Sequence, residues 1–180
     1  MRAGTSRGPF FLESDLPKDP ALRDRVLLAV MGSPDARQID GLGGADPLTS
    51  KVAIVSRSTR AGVDLEFLFA QVLIDEPRVD TTPNCGNMLA GVAPFAIERG
   101  LIVARDPETT VRILTRNTGT LCDVTVRTPE GRVEYEGDAR IDGCPGTSAP
   151  IAIAFSKPRA RSARACCPRG TSWTRSGASG

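Results

Sequence analysis

The spacing of apolar residues predicts one surface helix near the start of the chain. Across residues 19–32, apolar side chains recur every three or four positions, which is the spacing of one helix face. Pro20 suits the first turn of a helix, and Gly32 suits its end. We therefore expect a helix that packs one face on a sheet, through Leu22, Val26, Ala29 and Val30.

Later segments alternate apolar and polar residues, which is typical of strands half covered by a core. The alternation runs through residues 63–69, and residues 71–74 extend it. Asn117-Thr118-Gly119 and Glu130-Gly131 have the composition of turns, so the strands around them are expected to form an antiparallel meander. The predicted strands cover residues 51–56, 63–74, 111–115, 124–126 and 133–135.

A mostly apolar segment separates the two groups of strands. It covers residues 85–99 and is followed by Gly100, so we predict one helix there despite Pro94. Strands before and after an apolar helix suggest that the sheet wraps it. The predicted fold class is therefore α+β, with an antiparallel sheet curled around a central apolar helix.

Length, charge and hydropathy exclude several classes of protein. The chain has 180 residues, 40% of them hydrophobic, which suits a single domain core. Its 23 basic and 21 acidic residues nearly balance, so the overall charge favours neither nucleic acid nor an anionic membrane as a partner. No apolar run approaches the roughly 18 residues of a membrane span, and no signal peptide is visible. We therefore expect a cytoplasmic protein.

The chain contains no histidine and five cysteines. Without histidine, Ser-His-Asp and Cys-His catalysis and most catalytic metal sites are excluded. The cysteines show neither a disulfide framework nor a paired zinc pattern, so free thiols are expected. We predict no metal site, and any proton chemistry must use Lys, Cys, Asp, Glu or Tyr.

The last 25 residues, 156–180, differ in composition from the rest. They contain one lysine, five arginines and no acidic residue, with almost no aliphatic side chains. This composition predicts disorder. A basic tail can bind RNA, but Trp173 is the one aromatic residue available for stacking, so a terminus without function is the favoured interpretation.

Four segments of the chain form a pattern together. They are Met1-Arg-Ala-Gly-Thr-Ser-Arg-Gly8, Gly41-Leu-Gly-Gly-Ala-Asp-Pro-Leu-Thr-Ser-Lys51, Asp80-Thr-Thr-Pro-Asn-Cys-Gly-Asn-Met88 and Asp142-Gly-Cys-Pro-Gly-Thr-Ser-Ala-Pro150. In this combination they resemble the family of 4-oxalomesaconate tautomerases and PrpF-type methylaconitate isomerases. Their order and spacing match the family from Met1 to about Phe155. The resemblance implies the two-lobed fold of diaminopimelate epimerase, of which residues 1–155 would be the N-terminal lobe.

The sequence also departs from this family. The family's first strand normally precedes the segment that begins here at Met1, so we expect that strand to be missing. Beyond Phe155 the family continues into a second lobe, whereas residues 156–180 resemble the product of a reading-frame shift. A single lobe is expected to have little activity, and its exposed docking face would favour aggregation or a homodimer.

The resemblance implies an isomerase that moves a proton and a double bond within a small polycarboxylate, a reaction that needs no cofactor. Lys51 follows a glycine-rich loop and opens a predicted strand, and the resemblance makes it the catalytic lysine. It would need burial or nearby cations to act as a base, but not to act as an acid or electrostatic clamp. From the residues alone, a solvated lysine at a strand end is the favoured alternative.

Cys85 is the second catalytic candidate because it stands at the start of the predicted apolar helix. A helix N-terminus presents unpaired N–H groups that bind carboxylates and favour a thiolate. A small buried residue under the loop is an equally good interpretation without the family pattern. Cys122 and Cys144 are interpreted as structural.

Other residues supply a guanidinium, hydroxyls and backbone donors suited to substrate carboxylates. Ordinary turn chemistry is the alternative explanation for them. The predicted substrate-binding residues are Arg2, Thr5, Ser6, Thr49, Ser50, Gly86, Asn87, Gly146, Thr147 and Ser148.

Three functional hypotheses remain at this stage. The leading one is keto-enol tautomerisation of 4-oxalomesaconate, with 2-methylaconitate cis-trans isomerisation as the alternative. The second is an inactive fragment of either enzyme, and the third is a nucleic-acid-binding protein that uses the basic tail. Amino-acid epimerisation is disfavoured because Cys85 has no visible partner cysteine.

Overall fold

The computed structural model describes residues 1–156, so the predictions for the basic tail beyond Ser156 lie outside the described residues. Within this range the chain forms a seven-stranded sheet, a two-stranded sheet and three α-helices. The helices are α1 (Pro20–Met31), α2 (Gly86–Ala90) and α3 (Val92–Glu98). The strands are β1 (Arg2–Ala3), β2 (Ser6–Arg7), β3 (Phe10–Leu12), β4 (Lys51–Arg57), β5 (Leu65–Val72), β6 (Val79–Asp80), β7 (Glu108–Thr115), β8 (Thr120–Arg127) and β9 (Ile151–Phe155).

The large sheet is mixed, and the prediction of a wholly antiparallel sheet is wrong. Its strands follow the order β3-β4-β5-β7-β8-β9, and β6 also pairs with β5. β3 with β4 and β5 with β7 are parallel, while the other pairs are antiparallel. Parallel neighbours need a crossover connection. Here α1 lies between β3 and β4 in the chain, and α2 with α3 lies between β5 and β7.

The two faces of the sheet bury different side chains. On β4, Ala53 and Val55 belong to the core cluster that contains α2 and α3, whereas Val52 and Ile54 belong to the cluster beside α1. This division follows from the alternation of side chains along a strand. The prediction that the apolar helical segment is buried is confirmed, because Leu89, Val92 and Ala96 are each 0% exposed.

Helix α1 ends where the sequence predicts, and of the four predicted contact residues Val26 packs on the core cluster beside the helix. The Asp19 side chain caps its start by accepting a hydrogen bond from the backbone N–H of Leu22, and Gly32 ends it at φ 77°. Leu22 and Ala29 are exposed, while Leu27 and Met31 are buried. Several apolar stripes exist on this helix, and the contact with the sheet selects the one formed by Leu27 and Met31.

The predicted single helix over residues 85–99 is two short helices. α2 ends at Ala90 and α3 begins at Val92, with Gly91 between them. Pro94 has no N–H to donate to the Ala90 carbonyl, which weakens the helix at this junction. A Cβ atom at Gly91 would collide with the ring of Phe10, so the close approach of β3 also depends on this glycine.

The predicted meander is correct for its first two strands only. β7 and β8 pair antiparallel across the turn that contains Asn117. Residues 133–135 are not a strand, and that prediction is wrong. Glu130 adopts φ 54° in the preceding turn, and the Tyr135 hydroxyl donates to the Glu98 carboxylate at 2.6 Å, so this segment packs on α3 instead of extending the sheet.

Candidate functional site

Lys51 opens β4 and lies in a row of polar residues across three strands. It pairs with Gln71 of β5, which in turn pairs with Asp80 of β6. Lys51 alternates in phase with Ala53 and Val55, so its side chain lies on the sheet face that carries α2 and α3. The chain runs from Asp80 through four residues to Cys85, at the start of α2 on that same face.

The Lys51 ammonium is held by uncharged groups. Its Nζ atom donates to Oε1 of Gln71 at 2.7 Å and lies 5.1 Å from the centroid of the Phe69 ring. Within residues 1–156, no carboxylate lies within 4.0 Å of this nitrogen. The ring and the amide both favour a cation without neutralising it. The charge therefore remains available to an anionic ligand.

Cys85 is the residue directly before α2, and it is half-buried against the core that includes Leu89. Its backbone N–H donates to Oδ1 of Asn84 at 2.9 Å, and its carbonyl accepts from the N–H of Leu89 at 3.0 Å. The thiol does not cap the helix. Because α2 has five residues, its dipole is weaker than that of the long helix predicted from the sequence.

The first eight residues form a tight hairpin that touches both candidate segments. β1 and β2 pair within it, and the N-terminal amino group of Met1 donates to the Gly8 carbonyl at 2.8 Å. Gly8 lies against the Lys51 carbonyl and the Met88 side chain, so a Cβ atom there would overlap the carbonyl oxygen. The hairpin therefore packs between β4 and α2.

The predicted binding residues of the hairpin contact the predicted binding residue of α2. Nδ2 of Asn87 donates to Oγ1 of Thr5 at 2.8 Å and to Oγ of Ser6 at 3.4 Å. Ser6 is buried and Thr5 is half-buried, while Gly86 is exposed and has no heavy atom within 4 Å of its ideal Cβ position. These contacts bring the segment of residues 1–8 together with the segment of residues 80–88.

The loop before Lys51 is organised by a buried glutamine that the sequence analysis did not single out. Nε2 of Gln38 donates to Oγ of Ser50 at 2.7 Å and to Oγ of Ser33 at 3.0 Å, and its Oε1 accepts from the N–H of Ala45 at 3.0 Å. Oγ of Ser50 also donates to the Val72 carbonyl at 2.8 Å. The Ser50 hydroxyl is thus engaged inside the protein in this conformation.

Other predicted binding residues are spread around the hairpin. Oγ1 of Thr49 donates to the Asp46 carbonyl at 3.1 Å within the loop. Nη2 of Arg2 donates to Oγ of Ser148 at 3.4 Å, which brings the segment of residues 142–150 to the segment of residues 1–8. Gly146 and Thr147 are exposed. Their binding roles, like those of Lys51 and Cys85, stay predictions.

A cleft of about 280 Å³ lies beside the hairpin, and it is mostly apolar. Arg2 and Ser148 line it, but Lys51 and Cys85 do not. The polar side chains suited to bind carboxylates and transfer protons therefore lie largely outside this cleft. We take the surface between Lys51 and α2 as the candidate site, because the hairpin packs against both elements there.

The described part of the chain has neither a cluster of metal ligands nor a membrane-spanning helix. No group of three or more Cys, Asp or Glu side chains in residues 1–156 is placed to hold a metal ion. No helix in that range is long and apolar enough to cross a membrane.

Sequence analysis missed the polar side chains that support Lys51. Gln71 lies two residues after Phe69 on the same strand, so the period-two pattern places both on one face, and the pairing of β4 with β5 brings Lys51 to that face. That signal could have identified Gln71. Gln38 and Asn117 gave no such signal, because Gln38 bonds to residues 5 to 12 positions away along irregular backbone and Asn117 bonds to Phe69, 48 positions away.

Comparison with known proteins gives three concordant findings. Residues 1–175 match the family described as PrpF protein, so the match continues past Phe155. The chain is 59% identical over 170 residues to the (4E)-oxalomesaconate Delta-isomerase of Novosphingobium sp. (strain KA1), covering 94% of this chain and 48% of that protein. It is 58% identical over 172 residues to the 4-oxalomesaconate tautomerase of Pseudomonas putida, covering 96% and 48% respectively.

A solved structure shows the same fold. The crystal structure of methylitaconate-delta-isomerase superposes with a TM-score of 0.82 at 51% identity, covering 84% of this chain and 39% of that chain. This chain therefore spans less than half the length of the proteins it matches.

Proposed function

The chain belongs to the PrpF protein family, and on that basis we propose that it provides the acid–base half of an isomerase for small unsaturated polycarboxylates. The leading substrate is 4-oxalomesaconate, supported by the names of two relatives that are 58% and 59% identical. The reaction proposed is keto-enol tautomerisation, in which a proton and a double bond change position.

The observation that carries this proposal is the setting of the Lys51 ammonium. It lies on the same sheet face as Cys85, and no carboxylate within the described residues neutralises it. A polycarboxylate needs positive charge for binding, and a dienolate needs it more as negative charge develops beside the reacting carbon. Lys51 is placed to meet both requirements.

The chemistry balances without an external reactant. A C–H bond next to a carbonyl breaks, its proton goes to a protein base, and its electron pair enters the conjugated system as a dienolate. A protein acid then returns one proton to a different atom of that system, either the oxygen or another carbon. Lys51 and Cys85 are the two groups assigned to these transfers, and either can take the first proton.

The remaining predicted residues are assigned to substrate carboxylates. Arg2 offers a guanidinium at the edge of the hairpin, and Thr5 offers a hydroxyl beside Asn87. Gly86 is exposed at the start of α2, where backbone N–H groups can bind a carboxylate. Ser50 and Ser6 act mainly through the buried contacts that shape the surface.

We propose that residues 1–155 form one lobe of a diaminopimelate epimerase-like fold. The substrate would bind between this lobe and a second lobe. The matched proteins are more than twice the length of the match, which supports this arrangement. Closing a second lobe over Lys51 would expel water and strengthen its interaction with the dienolate. The chain alone is accordingly expected to turn over slowly.

One alternative substrate class has specific support. The methylitaconate-delta-isomerase structure resembles this chain with a TM-score of 0.82, and its name indicates an unsaturated dicarboxylate. A methylaconitate-type substrate would undergo the same proton transfers. The alternative from another functional class is a lobe without catalytic activity. A direct assay of turnover distinguishes it from an enzyme.

The test compares two proteins with two substrates. One protein is the chain itself, and the other is a chimera in which the C-terminal part of the Pseudomonas putida tautomerase follows Phe155. Ultraviolet assays with 4-oxalomesaconate and 2-methylaconitate should show turnover by the chimera, with 4-oxalomesaconate preferred. Faster turnover of 2-methylaconitate would make that compound the proposed substrate instead. Inactivity of the folded chimera with both compounds would refute the function.

Lys51→Met in the chimera should lower kcat by about 10²- to 10⁴-fold, the range for removing one acid–base group. Lys18→Met is the matched control, because Lys18 is exposed and lies outside the candidate site. Equal activity of the two variants would remove Lys51 from the mechanism.

A further inference from the structure

The side-chain amide of Gln71 has one permitted orientation. Its Nε2 atom donates to the Ser50 carbonyl at 2.8 Å and to the Pro47 carbonyl at 3.1 Å. Rotating the amide by half a turn would place its own oxygen against these two acceptors. Oε1 must therefore face the Lys51 ammonium, which donates to it at 2.7 Å.

This amide holds both ends of the Lys51 residue. The Ser50 carbonyl belongs to the peptide that leads into Lys51, and the Nζ atom is the far end of the side chain. The Phe69 ring lies under the ammonium on the same face of β5. The long Lys51 side chain, which would otherwise move freely in water, is thereby restricted both at its backbone and at its ammonium group.

Gln71 also supplies the acceptor without adding charge. A carboxylate at this place would neutralise the ammonium, and an apolar side chain would release it into solvent. The neutral amide does neither. We propose that Gln71 is a positioning residue that fixes the Lys51 ammonium for proton transfer, an inference that rests on the function proposed for Lys51.

The proposal can be tested on the chain itself, because Lys18, Lys51 and Lys157 are its three lysines. Lysine labelled with ¹³C and ¹⁵N gives few resonances, and Lys18→Arg and Lys157→Arg assign them. The two ε-methylene protons of a fixed lysine have different chemical shifts, whereas rapid rotamer exchange averages them to one. Exposed Lys18 serves as the internal reference.

We expect two separate ε-proton resonances for Lys51 and one for Lys18. Gln71→Met, which keeps the size of the side chain and removes its hydrogen bonds, should merge the Lys51 pair. Gln71→Glu keeps an acceptor for the ammonium but sets its second oxygen against the Ser50 and Pro47 carbonyls, so it should restore the splitting only in part. Merged resonances in the unmodified chain, or an unchanged splitting in Gln71→Met, would overturn the proposal.

Turnover by the chimera provides a second readout. Gln71→Met should lower kcat roughly 10- to 100-fold with little change in KM, because misplacing a catalytic group by about 1 Å has effects of this size. Gln71→Glu should move the limb of the pH–rate profile that depends on Lys51 to higher pH, since a nearby carboxylate favours the ammonium form. A change in KM alone would contradict a positioning role.

Failure of the proposed function gives a different pattern of results. If the chimera turns over neither substrate, the function fails, while the resonances still decide whether Gln71 fixes the ammonium. If the chimera is active and Gln71→Met leaves kcat and the Lys51 resonances unchanged, Gln71 has no positioning role.

Discussion

The side chain of Asn117 pairs with the backbone of Phe69 as a neighbouring strand would. Its Oδ1 accepts from the Phe69 N–H at 2.9 Å, and its Nδ2 donates to the Phe69 carbonyl at 2.9 Å. Nδ2 also donates to the Thr81 carbonyl at 2.7 Å, on the segment that leads to Cys85. Asn117 thus fills the gap along β5 between its pairings with β7 and β6.

Asn117→Leu should destabilise the protein by about 3 kcal/mol, because three backbone groups of Phe69 and Thr81 lose their partner. Urea unfolding followed by circular dichroism measures this loss. Asn117→Asp keeps the acceptor and loses the donors, so its effect should be intermediate. Loss of less than about 0.5 kcal/mol for Asn117→Leu would show that water replaces these bonds.

Gly8→Ala should disrupt the junction between the hairpin and β4. The added Cβ would overlap the Lys51 carbonyl oxygen, and backbone atoms cannot move aside cheaply. We expect a loss of about 3 kcal/mol in unfolding free energy. Gly86→Ala is the matched control, since its Cβ would meet nothing within 4 Å, and it should unfold like the parent. Equal stability of the two variants would contradict the close packing at Gly8.

The thiols of Cys85 and Cys122 should differ in reactivity. Burial, with a smaller effect of the Asp123 carboxylate, raises the pKa of Cys122, whereas Cys85 is only half-buried. Because the thiolate is the reactive form, iodoacetamide should alkylate Cys85 at least about ten-fold faster at neutral pH. Peptide mass spectrometry over time gives both rates.

A tricarboxylate should protect Cys85 from alkylation if the candidate site binds one. Tricarballylate is a suitable saturated probe, and Cys122, which lies in β8 outside the candidate site, provides the unprotected reference. Equal slowing at both thiols would indicate a general effect on the protein instead of binding beside Cys85.

The pair formed by Arg112 and Asp123 across β7 and β8 should make stability depend on pH. The hydrogen bond from Arg112 lowers the pKa of Asp123 below its ordinary value of 3.8. The stabilisation is therefore present above that value and is lost as the pH falls through the lowered pKa. Asp123→Asn should lower the melting temperature slightly at neutral pH and not in strong acid, since exposed pairs contribute little. An equal difference at both pH values would contradict this linkage.

Apolar periodicity predicted the strands and helices that build the core. It did not predict the direction of the strands or the polar side chains that support Lys51 and the loop before it. The alternation through residues 63–69 identified β5, and the apolar run of residues 85–99 identified α2 and α3 as buried. Periodicity carries no information on whether β7 runs parallel to β5, which the helical crossover determines. The partners of Gln38 lie 5 to 12 residues away along irregular backbone, and Phe69 lies 48 residues from Asn117, so no periodic pattern reveals either set of contacts.

The contact between Arg2 and Ser148 can form only late in synthesis. The two residues are 146 positions apart, and ribosomes add about 5 to 20 residues per second, so Arg2 waits roughly 7 to 30 s for this partner. A ribosome stalled before Ser148 should therefore carry a hairpin already packed between β4 and α2 but still open at Arg2.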